Sequence, residues 1–377
     1  MKKSILITSF SEEDIKEAKS LADAAGYSVE KIINQRHLAK SKYGIGIGKA
    51  EEVREIIKQM KTDVIIFDSV LKPSQQYNLT SICKIEVIDR ERLILEIFER
   101  RASSTESRIQ IKLAQLQYDM VRVKEKVRLS KVGEQPGFFG MGKYDADVYY
   151  LDIKKRAATL KRKLQKEETR RNLYRIQRTR AGLKTISLSG YTSAGKTTLF
   201  NTLTGESKTT GQGMFTTLST STRAINLLAG RVLVSDTVGF ISKLPAYMID
   251  AFKSTLHELT YSCLVILVID VSDPLEEIKK KLDSSIGILN ELKVPLTRVI
   301  YVLNKIDLVT ADDAIDKSSL LGLVDQSQLK LQVSAKTGYN INQLKFLVAQ
   351  LIFTDNDENV AHSHINSSTN DNDNSIY

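Results

Sequence analysis

The run Gly190-Tyr191-Thr192-Ser193-Ala194-Gly195-Lys196-Thr197 constrains this chain more than any other. It satisfies G-x-x-x-x-G-K-[ST], the pattern of a phosphate-binding loop. A β-prone stretch, Lys184-Thr185-Ile186-Ser187-Leu188-Ser189, precedes it, and helix-prone Thr198-Leu199-Phe200-Asn201-Thr202-Leu203 follows. Strand, glycine loop and helix is the order the chemistry needs. Glycines let successive backbone N–H groups curl round a phosphate, and the new helix points its positive dipole end at the same charge. In that arrangement Lys196 reaches the β- and γ-phosphates and the Thr197 hydroxyl sits on Mg²⁺.

The partners of such a loop follow in order. Val232-Leu233-Val234-Ser235 reads as a strand ending at Asp236-Thr237-Val238-Gly239. Asp236 is placed to hold Mg²⁺ through water, and the Gly239 N–H to meet the γ-phosphate. Between them lies a threonine-rich segment containing Phe215-Thr216-Thr217-Leu218-Ser219. One threonine there is expected to close on Mg²⁺ and the γ-phosphate as a switch, and spacing alone leaves Thr216 and Thr217 both open. Asn304-Lys305-Ile306-Asp307 follows the β-rich run Arg298–Leu303. The acceptor-only carboxylate of Asp307 can take both donors of the guanine edge, which adenine does not offer, so the motif selects GTP and GDP over ATP. A bare helix-capping role for Asp307 is the simpler alternative. Ser334-Ala335-Lys336 is expected to close over the base.

With 377 residues the chain exceeds one compact core. It has no apolar run of membrane-spanning length, and its amino terminus reads as a first strand rather than a signal sequence. Cys83 and Cys263 read as small core residues, and no cysteine spacing suits a metal. These features make a cytoplasmic setting the default. His37, His257, His362 and His364 are scattered and receive no role. The net charge of +10 is concentrated: residues 100–180 hold about 22 Lys and Arg against about 9 Asp and Glu. A solvated helical face normally mixes signs. Lys154-Lys155-Arg156, Lys161-Arg162-Lys163 and Arg170-Arg171 do not, which favours a nucleic acid, RNA above all, as partner.

Residues 1–100 alternate strand and helix, implying a small parallel α/β domain. Strands are expected at Ile5–Thr8, Val29–Ile33, Asp63–Phe67 and Ile85–Ile88, with helices from Ser11 and Lys49. Gly44-Ile45-Gly46-Ile47-Gly48-Lys49 lacks the phosphate-loop spacing and reads as a tight turn, although a second nucleotide loop is the alternative. Residues 101–180 carry two apolar seams, Ile109, Leu113, Leu116, Met120, Val123, Val127 and Ile153, Ala157, Leu160, Leu164, separated by a glycine-rich run at 133–142. They predict a long antiparallel helical hairpin. Residues 181–353 form the nucleotide domain, and the polar stretch 354–377 is expected to be a disordered tail.

The order of these motifs resembles HflX-type GTPases. So do Asp236-Thr237-Val238-Gly239-Phe240-Ile241, Leu244-Pro245 with Ala251–Leu256, and, earlier, Pro73–Leu79, Val87-Ile88-Asp89-Arg90 and Leu113–Tyr118. The resemblance implies an N-terminal α/β domain, a helical hairpin and a Ras-like GTPase domain. It also implies the large ribosomal subunit and its RNA as partners, a role in ribosome rescue, dissociation or hibernation, and Thr217 as the switch residue. The protein is expected to be monomeric. Three positions depart from the family pattern: the glycine-rich tip lacks Gly-Pro-Gly-Glu-Thr, Ser193 replaces Asn, and Ser219 replaces Asp. Phe240 occupies a place where Ras-like proteins often carry a water-orienting Gln, so intrinsic hydrolysis is expected to be slow. An RNA-binding module regulated by nucleotide is the competing reading.

Overall fold

The computed structural model describes residues 1–36, 42–131, 143–206, 221–241, 248, 256, 258–321 and 330–353. Two compact units emerge, one containing Met1–Leu173 and the other starting at Tyr174.

The first unit is built on four strands, β1 (Lys2–Thr8), β2 (Tyr27–Asn34), β3 (Val64–Phe67) and β4 (Glu86–Asp89), in the spatial order β2-β1-β3-β4. All pairs are parallel. Ile5, Leu6 and Ile7 are all buried, as are Val64–Phe67. An unbroken apolar run is what a parallel strand covered on both faces requires. The connecting helices are α1 (Glu12–Ala24), α2 (Ile47–Met60), α3 (Pro73–Cys83) and α4 (Arg90–Arg101). Ser11 caps α1 by accepting from the Asp14 N–H, and Glu12, Glu13 and Asp14 complement the helix dipole. The glycine run is a packing turn at Gly44 to Gly46 that leads into α2, whose first turn holds Gly48 and Lys49. Ile45 is fully buried, and Gly44, at φ +77°, lies where a Cβ would strike Leu71 and Phe67.

Two long helices follow, α5 (Thr105–Lys131) and α6 (Lys143–Arg180). Glu106 near the start of α5 pairs with Arg171 near the end of α6, so they run antiparallel. Leu113, Leu116 and Val123 pack with Ile153 and Ala157, and Met120, Leu160 and Leu164 adjoin them. These are the two seams read from the sequence; Ile109 is half-buried, and the side chain of Val127, the glycine-rich tip and the tail lie outside the described residues. At 1.5 Å per residue, the 38 residues of α6 span roughly 57 Å.

The second unit contains a six-stranded sheet in the order β10-β9-β8-β5-β7-β6. Its strands are β5 (Lys184–Gly190), β6 (Ser221–Leu227), β7 (Gly230–Asp236), β8 (Leu264–Asp270), β9 (Val299–Asn304) and β10 (Lys330–Gln332). Only β6 runs antiparallel to its neighbour. One face packs Ile186, Leu188, Val234, Ile266 and Val268 against α7 (Lys196–Thr204) and α10 (Ile341–Phe353). Helices α8 (Leu275–Glu291) and α9 (Ala311–Leu320) also belong to the unit. Cys83 ends α3 and is buried, which pushes its thiol up to about 11. Cys263 corrects the sequence reading: it lies just before β8, its N–H bound to the Thr185 carbonyl, and its side chain is exposed. The residue before it, Ser262, is buried, its hydroxyl donating to the Glu258 carbonyl, so successive side chains point to opposite sides and Cys263 takes the outward one.

Candidate nucleotide site

Parallel strands aim their carboxyl ends at one edge of the sheet, and the motifs gather there. The loop Gly190–Thr197 leaves the end of β5, a strand flanked by β7 and β8. Its curl needs three residues with positive φ: Gly190 at +136°, Ser193 at +64° and Gly195 at +92°. At Gly190 a Cβ would fall on the Val268 carbonyl, and at Gly195 on the Asn304 side-chain amide. Both glycines are therefore required by space as well as by φ. Ser193 takes a left-handed conformation that Asn tolerates better.

Gly195 caps α7, so Lys196 and Thr197 open the helix at its positive end. The Lys196 amine donates to the Tyr191 carbonyl at 2.6 Å. Burial pushes its pKa down to about 8, with the Asp236 carboxylate pulling the other way. The Thr197 hydroxyl donates to Asp236 Oδ2 at 3.1 Å. Asp236 ends β7 and is fully buried. Thr237 beyond it donates to the Leu188 carbonyl at 2.7 Å. Val238 is buried, and Gly239 closes the cradle, since a Cβ there would lie 2.8 Å from the Lys196 amine and 3.0 Å from Thr192 Cγ2. Phe240 is tied to the loop by two backbone bonds, Thr192 N to Phe240 O at 2.8 Å and Phe240 N to Gly190 O at 3.0 Å. Its side chain is buried at 3 % exposure. Among the described residues, the buried Thr192 Oγ1 has no hydrogen-bond partner.

The two oxygen donors Thr197 and Asp236, buried side by side at a helix N-terminus, suit a hard divalent ion such as Mg²⁺. Thr217, the third expected ligand, lies outside the described residues with Phe215, Thr216, Leu218 and Ser219.

Asn304 joins the two ends of the site. Its Nδ2 donates to the Ala194 carbonyl at 2.8 Å, and its Oδ1 accepts from the Ala335 N–H at 2.9 Å. One side chain thus staples the phosphate loop to Ser334-Ala335-Lys336. Thr202 of α7 adds a second staple, donating to the Ala335 carbonyl at 2.7 Å. Lys305 has φ +68° and its amine pairs with Asp270. A 3-10 turn, Ile306–Leu308, then carries Asp307 into solvent. The Ser334 hydroxyl donates to Asp307 Oδ1 at 2.6 Å and fixes the carboxylate plane. Lys336 is exposed beside the buried Ala335. The sequence reading missed Asp270 and Thr202. Asp270 was findable, because it ends an apolar strand, Leu264–Ile269, as Asp236 does.

Family models match in chain order: GTP-binding GTPase N-terminal over 12–99, GTP-binding GTPase Middle Region over 101–178, and 50S ribosome-binding GTPase over 185–305. GTPase HflX of Methanocaldococcus jannaschii is 43% identical over 344 residues, covering 90% of this chain and 83% of that protein. This chain belongs to the HflX family of GTPases. The family's GTPase HflX from Thermococcus kodakarensis is also 43% identical, over 81% of this chain and 69% of its own. A GTP-binding protein from the hyperthermophilic archaeon Sulfolobus solfataricus, solved in complex with GDP, is similar with TM-score 0.51 and 28% identity, covering 93% of this chain and 98% of its own. The expected architecture of this HflX-family chain, a parallel α/β domain, a helical region and a P-loop GTPase domain, is the one observed.

Proposed function

We propose that the protein binds GTP and hydrolyses it to GDP and phosphate, and that it uses the nucleotide as a switch on the large ribosomal subunit. The observation that carries the nucleotide reading is Asn304, which bonds at once to Ala194 of the phosphate loop and Ala335 of the base loop. In this reading the backbone of Gly190–Thr197 wraps the phosphates, the Lys196 cation meets the β- and γ-phosphates, and Gly239 N–H meets the γ-phosphate. Thr197, Thr217 and Asp236 would hold Mg²⁺, which when bound offsets negative charge on the phosphate oxygens. Thr217 closes the switch, and Asp307 reads the guanine edge beneath Ser334-Ala335-Lys336. The buried ring of Phe240 cannot orient a water, so intrinsic turnover is slow and a partner completes the site.

The ribosomal part of the reading is supported by the family model described as a 50S ribosome-binding GTPase and by the excess of Lys and Arg over Asp and Glu on α6. Ribosome rescue, dissociation or hibernation is the process proposed, in the cytoplasm and as a monomer. The chain is read as an α/β domain to residue 100, a basic hairpin to 180, the GTPase domain to 353 and a polar tail. Among the described residues no helix is long and apolar enough to cross a membrane.

Titration calorimetry with GTP, GDP and ATP tests the nucleotide reading. Wild type is expected to bind both guanine nucleotides and not ATP. Asp307→Asn exchanges an acceptor for a donor and is expected to shift preference toward xanthine nucleotides. Equal affinity of the wild type for ATP and GTP would reject the assignment.

A further inference from the structure

The last residue of β8 and the turn after it, Asp270-Val271-Ser272-Asp273, have none of the roles proposed above, yet their two carboxylates reach both ends of the nucleotide site. Asp270 pairs with the Lys305 amine, and Ser272 holds that carboxylate in place through its N–H at 3.0 Å and its hydroxyl at 2.6 Å. Asp273 pairs with the Lys281 amine at 2.6 Å, and Glu277 pairs with the same amine at 2.5 Å. That amine lies 5.5 Å from the centroid of the Tyr191 ring. The carbonyl of Tyr191 is the group that receives Lys196. The turn is itself fastened to the base-recognition strand, the Val271 N–H donating to the Asn304 carbonyl at 3.1 Å.

We propose that Asp270 and Asp273 are positioning residues, Asp270 for guanine recognition and Asp273 for the phosphate loop. Lys305 sits in the left-handed region, a conformation unfavourable for a residue that carries a Cβ. The Asp270 tether holds it and so sets where the following turn presents Asp307. Asp273 and Glu277 fix the amine of Lys281, whose cation faces Tyr191 and braces the carbonyl on which Lys196 rests. The proposal rests on the guanine-nucleotide reading above.

The test uses the full chain as wild type, Asp270→Asn, Asp273→Asn and Lys281→Met. It measures affinity for GDP and ADP and the rate of phosphate release at saturating GTP. For Asp270→Asn, loss of a charged hydrogen bond predicts about tenfold weaker GDP binding. The GDP-over-ADP preference should narrow in proportion, with the saturated rate unchanged. Asp273→Asn should keep the base preference and slow phosphate release by about tenfold, and Lys281→Met should reproduce it. A general loss of structure would move both quantities together in every variant. That result, or variants indistinguishable from a wild type that binds GDP, overturns the proposal. Tighter GDP binding by Asp270→Asn also overturns it, because Asp270 would then restrain Lys305 from the base. A wild type that binds no guanine nucleotide overturns the underlying reading and this proposal with it.

Discussion

Lys196 is the residue at which burial and charge conflict most directly. Its amine is enclosed at the start of α7 and titrates at about 8, against an ordinary value of 10.5. Below about pH 8 the amine is charged in both folded and unfolded chains, and the full cost of burying it stands. Between about 8 and 10.5 the unfolded chain holds more protons at this site, so its contribution to stability rises with pH. Tyr27 and Cys83 act oppositely, since burial raises both and their contributions fall as the unfolded groups ionise. The prediction therefore concerns a difference. In thermal melts without nucleotide from pH 7 to 9.5, wild type should gain on Lys196→Met as pH rises, with the variant more stable at pH 7. Parallel curves would show that the amine is not buried as described.

At the scale of elements, the first unit is locked by charges rather than by apolar packing alone. Arg90 opens α4 with its guanidinium buried, paired with Asp68 from the end of β3 and with Glu17 of α1. Asp68 also accepts from Thr8 at the end of β1, at 2.8 Å. Next to it, fully buried Asp89 caps α4 and takes bonds from Tyr118 at 2.9 Å and Arg122 at 2.6 Å, both on α5. One carboxylate thereby joins a strand end, a helix start and the hairpin. Removing one partner of a buried pair leaves the other charge uncompensated. Arg90→Met should thus cost about 3–5 kcal/mol, read as a lower urea midpoint with unchanged slope. A loss below about 1 kcal/mol, the scale of a surface ion pair, would contradict the burial. Val87–Arg90 and Leu113–Tyr118 were visible beforehand only as familiar runs. Their shared purpose was not legible, because residues 29 apart meet only after α3, α4 and α5 have packed.

For the whole molecule, the decisive quantity is the charge on α6. Lys154, Lys155, Arg156, Lys161, Arg162 and Lys163 lie on a helix of 38 residues, and Lys154, Lys155, Arg156, Lys161, Arg162 and Lys163 are all exposed. Phosphate contacts release counterions, so ribosome binding should fall steeply with salt. Neutralising Lys154, Lys155, Lys161, Arg162 and Lys163 together should weaken co-sedimentation with ribosomes and flatten that salt dependence. It should also reduce ribosome-stimulated phosphate release. GTP should strengthen binding relative to GDP, and ribosomes should favour the GTP-bound form by the same factor. Equal binding, salt slope and stimulation in both proteins would make the helix a solvated face.

The sequence by itself determined the phosphate loop, the order of its partner motifs, the four parallel strands of the first unit and both seams of the hairpin. Each is written in neighbouring residues or at a fixed period, so it survives without a fold. Only the tertiary structure decided that Asn304 staples the loop to Ala335, that Lys305 answers to Asp270, that Phe240 is buried, and that Cys263 faces out. Those outcomes depend on which strand ends lie side by side, and the order β9-β8-β5-β7 is set by packing across the sheet rather than by any local run. Residues 31 and 110 positions apart become hydrogen-bond partners only once that order exists.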